Sequence, residues 1–158
     1  MRSVIGGWLA RRRADERRRA AAARIRGIRG AIDVASDTRE SIRAAVATLV
    51  AEVEVRNDLA MDEIISAIFT TTPDITSMFP ALAARDAGWR DVPLLCATEI
   101  AVPGSLPRCI RVLVHVELPR DRMIQHVYLG AAASLRPDLR PDFRRGPRAA
   151  VATLGGGE

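Results

Sequence analysis

Four arginines stand where a solvated surface gives them no reason to be. Arg111 sits inside the apolar run Ile110-Arg-Val-Leu-Val114. Arg29 lies in Ile25-Arg-Gly-Ile-Arg-Gly-Ala-Ile32. Arg136 follows Ala131-Ala-Ala-Ser-Leu135 and precedes Pro137, and Arg85 lies in a short alanine-rich segment. A guanidinium keeps its charge at any working pH, so each must be solvated, paired with an acid or waiting for an anion. For any one of them a salt bridge is the ordinary role. Arg29, Arg111 and Arg136 together, all on or beside strand-like segments, point to a pocket. Guanidinium forks match carboxylates bidentately, so the expected ligand is a small carboxylate or phosphate.

Other chemistry has less support. His115 and His126 are the only histidines, and no G-x-S-x-G or comparable nucleophile signature accompanies them. Both suit a structural hydrogen-bonding role. Arg26-Gly-Ile-Arg-Gly30 lacks the spacing of a phosphate-binding glycine loop. Cys96 and Cys109 are too few for a disulfide framework and form no Cys/His cluster for a metal. Cys96 suits a small core residue, while Glu99, three residues on, could accept a hydrogen bond from a ligand hydroxyl.

The charge total is misleading. All 24 basic residues are arginine, the net charge is +5 and the pI is about 10.7, values that suggest a nucleic-acid binder. Residues 1–24 carry eight arginines against Asp15 and Glu16, and 140–158 carry four against Asp142 and Glu158. The middle, 25–139, is net −3. The expected organisation is an Arg/Ala-rich, disordered extension at 1–24, one domain at 25–139 and a disordered Arg/Gly-rich tail at 140–158. No apolar run reaches the roughly 18 to 20 residues that cross a bilayer. The start of the chain lacks the layout of a secretory signal, so a cytoplasmic location is expected.

The elements that must carry these residues follow from periodicity. Residues 25–32 read as a first strand. Residues 37–55 read as a helix: Ile42, Val46, Leu49, Val50 and Val53 recur at helical spacing, with Asp37 as N-cap and Glu40 three residues on. Ile64 to Thr71 is a buried strand. Pro80 opens a short helix, 80–87, that Gly88 closes. Val92 to Thr98 is a strand. Cys109 to Leu118 alternates, with Ile110, Val112, Val114 and Val116 on one face and Arg111, Leu113, His115 and Glu117 on the other. About one helical turn is expected over 119–125 and a last strand over 127–135. The fold class is α+β (mixed α/β): a mixed β-sheet with helices packed on one face. Its other face must also be covered, so an oligomer is expected.

Seven stretches, in order from about Ile25 to Asp138, then carry a resemblance. They are Arg26-Gly-Ile-Arg29-Gly-Ala; Thr72-Pro-Asp74 with Phe79-Pro-Ala81; Gly88-Trp89 followed by Val92-Pro93; Cys96-x-x-Glu99; Cys109-Ile-Arg111-Val; His126-Val-Tyr128-Leu; and Leu135-Arg136-Pro-Asp138. Together they resemble the monofunctional chorismate mutases of the trimeric pseudo-α/β-barrel class. That resemblance implies a homotrimer with active sites at the subunit interfaces. It also implies the Claisen rearrangement of chorismate to prephenate, towards phenylalanine and tyrosine, with no cofactor, metal or covalent intermediate. By motif position Arg111 resembles the arginine at the ether oxygen and a carboxylate, and Arg29 and Tyr128 resemble carboxylate binders. Glu99 and Cys96 resemble the pair at the ring hydroxyl and the developing cationic side of the ring. Phe79 and Leu135 resemble apolar walls, and Arg85 and Arg136 resemble peripheral cations. Phe79 and Arg85 would come from one subunit, Arg29 and Arg111 from its neighbour.

Two positions depart from the family pattern. Leu95 stands where a hydroxyl residue can occur, and Leu82 where a lysine can occur near the pocket mouth. Two alternatives belong to other classes: a non-catalytic trimeric carboxylate-binding protein of the same fold, and an Arg-tailed nucleic-acid binder. The acidic middle domain and the scarcity of aromatics, six in the chain, give the second little to work with.

Overall fold

The computed structural model describes residues 22–139; the expectations for residues 1–21 and 140–158 lie outside the described residues. Strand β1 (Ala23–Asp33) leads to helix α1 (Arg39–Asn57), a short 3-10 turn (Met61–Glu63) and β2 (Ile64–Thr71). Helix α2 (Pro80–Asp86), β3 (Leu94–Thr98), β4 (Cys109–Pro119) and β5 (Val127–Tyr128) follow, then 3-10 segments at Gly130–Leu135 and Pro137–Leu139. The five strands form one mixed sheet in the order β3-β2-β4-β1-β5. β4 is antiparallel to both β1 and β2, while β1/β5 and β2/β3 are parallel pairs.

The alternation of β4 decides how the layers stack. Ile110, Val112, Val114, Val116 and Leu118 are buried, and their register partners on the same face include Ile28, Ile32, Ala67 and Phe69. Helix α1 lays Ile42, Val46, Leu49, Val50 and Val53 on that face, all of them buried. Each such aliphatic side chain contributes roughly 1.5–3 kcal/mol when fully buried. Trp89 and Phe69 complete the core with rings 6.3 Å apart, and the Trp89 indole N–H donates to Glu54 at 2.5 Å. Pro80 occupies the first turn of α2, and Gly88 takes φ +122° just beyond its end, a conformation that suits glycine.

The opposite face carries Leu95, Ile68, Leu113 and Ile25 beside Arg29 and Arg111. Leu95 is 61% exposed and Ile25 70%. Only one end of this face is covered by described residues, where Leu135 and Tyr128 pack over Ala31, Cys109 and Ala132.

Three expectations need correction. The N-cap of α1 is Thr38, whose hydroxyl accepts the Ser41 N–H at 3.2 Å, not Asp37. Asp37 is taken by more distant partners: its carboxylate accepts from the Thr76 N–H and hydroxyl and from the Ser77 N–H, at 2.8–3.0 Å. Residues 119–125 are not helical. β4 runs on to Pro119, and the chain then turns and is held by side chains. Asn57 exchanges hydrogen bonds with the Gln125 backbone, and Arg122 donates to Glu63 and to the Asn57 carbonyl. The last strand is only Val127–Tyr128. Gly130 takes φ +55°, and Asp33 accepts the Ala131 N–H at 2.6 Å, which starts a 3-10 segment where a strand was expected.

Candidate active site

The residues singled out by the sequence fall into two groups. The first lies on the open face of the sheet. Arg29 on β1 and Arg111 on β4 stand on strands paired in register, Arg29 opposite Leu113 and Ala31 opposite Arg111, and Tyr128 on β5 stands beside Ala31. They line a cavity of about 270 Å³ with Ile68, Thr70 and Leu113. Strand alternation puts all of these on one face.

Glu99 reaches the same group from beyond the end of β3. One carboxylate oxygen accepts from the Thr70 hydroxyl at 2.5 Å and the other accepts from an Arg111 Nη. Burial opposes the charge of Arg111, but the Glu99 hydrogen bond and neighbouring acidic groups outweigh it and its pKa is raised. One Nη serves Glu99, and a guanidinium has five N–H donors, so the fork keeps capacity for a ligand. Arg136 approaches Tyr128 from the 3-10 segment and is held by Asp138 at 2.7–2.8 Å. Leu135 packs with Tyr128 against the buried Ala31 and Cys109. Burial pushes the Cys109 thiol up to about 11, which leaves it inert as a nucleophile near neutral pH.

The second group lies at the other edge of the sheet. Phe79, Leu82 and Cys96 line a cavity of about 380 Å³ with Ser77, Thr98 and Arg39. The Phe79 side chain is 74% exposed at the start of α2. Cys96 accepts the Ala81 N–H through Sγ at 3.4 Å. Burial raises its thiol pKa, against the opposing effects of that N–H and of the Arg85 charge. Arg85 itself is exposed in the last turn of α2.

Within one chain these groups do not converge. Cys96 and Glu99, a pair by motif spacing, face different surroundings: Glu99 joins Arg111, whereas Cys96 joins Phe79. Each cavity is open on its outer side and carries half of the expected chemistry. The histidines both make structural hydrogen bonds. His115 Nδ1 lies 3.0 Å from the Ser66 hydroxyl, and His126 Nδ1 accepts the Arg29 backbone N–H at 3.1 Å. Sequence reasoning missed Thr70, which sits directly across from Arg111. Its signal was its place on the polar face of β2, readable only once the strand pairing is known. Arg39, which the sequence reading gave no role, lines the second cavity.

A mixed α/β fold that brings two arginines and a tyrosine to one cavity on an open sheet face belongs to the class of small-anion-binding proteins. The comparisons with known proteins give the particular family. The model for chorismate mutase type I matches residues 25–139. The chorismate mutase AroH of Thermus thermophilus is 51% identical over 118 residues, covering 73% of this chain and 96% of that protein. The AroH of Bacillus subtilis is 41% identical over 118 residues, covering 73% and 92%. A solved chorismate mutase from Clostridium thermocellum superposes with a TM-score of 0.66 at 46% identity, covering 69% of this chain and 98% of that one. The chain belongs to the chorismate mutase type I family.

Proposed function

We propose that this chain rearranges chorismate to prephenate at sites shared between subunits of a homotrimer. The observation that carries this reading is the cluster of Arg29, Arg111 and Tyr128 around one cavity, with Glu99 hydrogen-bonded to Arg111. The substrate is a dicarboxylate, so it needs cations to bind. Its rearrangement breaks a C–O bond, so negative charge grows on the ether oxygen as the bond lengthens. A guanidinium held against that oxygen stabilises the transition state more than the substrate. Arg111 is the residue for this role, because Glu99 fixes its fork and the strand fixes its origin. Glu99, itself anchored by Thr70, offers its carboxylate to the ring hydroxyl and to the positive charge that develops across the ring.

Arg29 and Tyr128 bind a carboxylate, and Arg136 adds a cation at the edge of the same cavity. Phe79, Leu135 and the aliphatic walls restrict the flexible substrate to a compact reactive conformer, which lowers the entropic part of the barrier. No proton has to move, so no general base is needed. Because Phe79 and Cys96 line the other cavity, with the Arg85 charge acting on Cys96 from α2, a complete site needs a second subunit whose Phe79 edge meets the open face of the first. The exposed apolar side chains Leu95, Leu113 and Ile25 on that face support such an assembly. Among the described residues no helix is long and apolar enough to cross a membrane, which fits the cytoplasmic location we propose.

The test is the disappearance of chorismate absorbance in the ultraviolet, with prephenate identified as product. Turnover by the full chain supports the reading. A chain that binds chorismate without converting it is instead a carboxylate-binding protein of the same fold.

A further inference from the structure

The cavity beside Phe79 contains one charged lining residue, Arg39, and nothing in the reaction described so far uses it. Arg39 is the first residue of α1. A cation at that position opposes the helix dipole, which favours acidic residues there, so the helix gains nothing from it. Among the described residues its side chain forms no ion pair and no hydrogen bond; the nearby arginine Arg43 pairs with Asp86 instead. Asp37, two residues before it, is already committed to Thr76 and Ser77. Those bonds fasten the 76–79 segment to the start of α1, so Arg39 and Phe79 are held on the same wall. The other walls carry no second charge. Leu82 and Phe79 are apolar, Cys96 carries a thiol whose pKa is raised, and the Thr76 and Ser77 hydroxyls are committed to Asp37, which leaves Thr71 and Thr98 as neutral partners beside Arg39.

We propose that Arg39 binds a carboxylate of the substrate, as the cation that the α1 end contributes to the shared site. The inference rests on the function proposed above and adds a residue to it. A dianion placed between the two cavities has one carboxylate for Arg29 and Tyr128. The second, on the Phe79 side, meets Arg39. This contact is made equally in the bound substrate and in the transition state, because the carboxylates do not change charge during the rearrangement. It therefore acts on substrate capture and leaves the chemical step alone.

The experiment compares the full chain with Arg39→Ala, Arg39→Glu and Arg39→Lys, and with Arg43→Ala as a control for loss of one positive charge from the same helix. The expected result for Arg39→Ala is a KM for chorismate raised about tenfold with kcat within twofold of the parent. Arg39→Glu raises KM further, Arg39→Lys recovers part of the loss, and Arg43→Ala matches the parent. The fall of kcat/KM with added salt becomes shallower in Arg39→Ala, because an exposed cation that attracts a dianion is screened by salt. Arg39 is exposed at a helix start, so thermal unfolding of the variants remains at or above that of the parent. A parent-like KM and salt dependence in Arg39→Ala overturns the role of Arg39 while the function stands. A parent chain without turnover overturns the function, and Arg39 with it. A fall in kcat equal to the rise in KM also overturns the proposal, since the residue would then act on the barrier.

Discussion

Arg111→Ala is the sharpest perturbation of the proposed chemistry. The Arg111 side chain is 35% exposed in the single chain and that of its partner Glu99 only 16%, so the pair is partly withdrawn from water. Removing one donor aimed at a developing oxyanion costs roughly 3–4 kcal/mol of transition-state stabilisation, a loss of about 10²- to 10³-fold in kcat. The fold should survive. Glu99 keeps its bond to Thr70, and Arg111 lies on the open face, away from the core under α1. Arg111→Lys should also be slow: a flexible ammonium cannot serve Glu99 and the ether oxygen with the geometry of a planar fork. The assay is chorismate consumption under saturating substrate, with unfolding curves recorded beside it. Both variants should retain a parent-like unfolding transition while kcat collapses. Turnover within a few-fold of the parent by either one refutes the electrostatic assignment.

Other outcomes follow from neighbouring contacts. Gly130→Ala should raise KM and loosen the 3-10 segment that carries Leu135 and Arg136. The backbone there is at φ +55°, and a new Cβ would collide with Asp33, which accepts the Ala131 N–H. His126 should make the protein acid-sensitive. Burial, and then the nearby Arg29 and Arg136 charges, hold its pKa below the ordinary 6.5. The folded state thus binds fewer protons than the unfolded one in that interval. The contribution is complete above pH 6.5 and is lost as pH falls through the lower folded value, when the imidazolium can no longer accept the Arg29 N–H. A His126→Asn variant should lack this step in a pH titration of unfolding. A chain shortened to begin at Ala23 should turn over chorismate at the parent rate, because every residue assigned a role lies beyond that point.

What the sequence revealed was what depends on near neighbours along the chain. The alternation of Cys109–Leu118 defined β4 and both of its faces, and the run Ile64–Thr71 defined β2, because strand period and helix period are local properties. Asp37 was misread because its true partners, Thr76 and Ser77, lie some forty residues away and only the tertiary fold supplies them. The 127–135 segment was misread because one Asp33 carboxylate, reaching across from β1, outweighs the weak strand preference of an alanine run. At the site, Arg29 and Arg111 were visible as charges inside apolar strands. Thr70 was invisible until β2 was set against β4, and Arg39 reads in sequence as one more exposed helical arginine. The charge total concealed all of this, since the excess lies in the terminal segments.

The proposed division of the site between two cavities makes a prediction that only a shared site satisfies. Arg111→Ala removes the cation from one half. Phe79→Asp places a repulsive carboxylate in the other, at a side chain that is 74% exposed in the single chain. Each variant alone should be nearly inactive. When the two are unfolded together and reassembled, subunits mix. In a ring of head-to-tail contacts, a site formed by the Arg111 face of one subunit and the Phe79 edge of the next is intact in about a quarter of random pairings. The mixture should therefore recover about a quarter of parent activity, far above either variant, with light scattering to show that each variant and the mixture assemble alike. If all the residues instead met within one chain, every site would carry one lesion and mixing would restore nothing. Absence of recovery from properly assembled mixtures would refute the interfacial site while leaving the family assignment in place. Recovery would show that the open sheet face is half of an active site, which explains why this fold leaves Arg29, Arg111 and Leu113 uncovered.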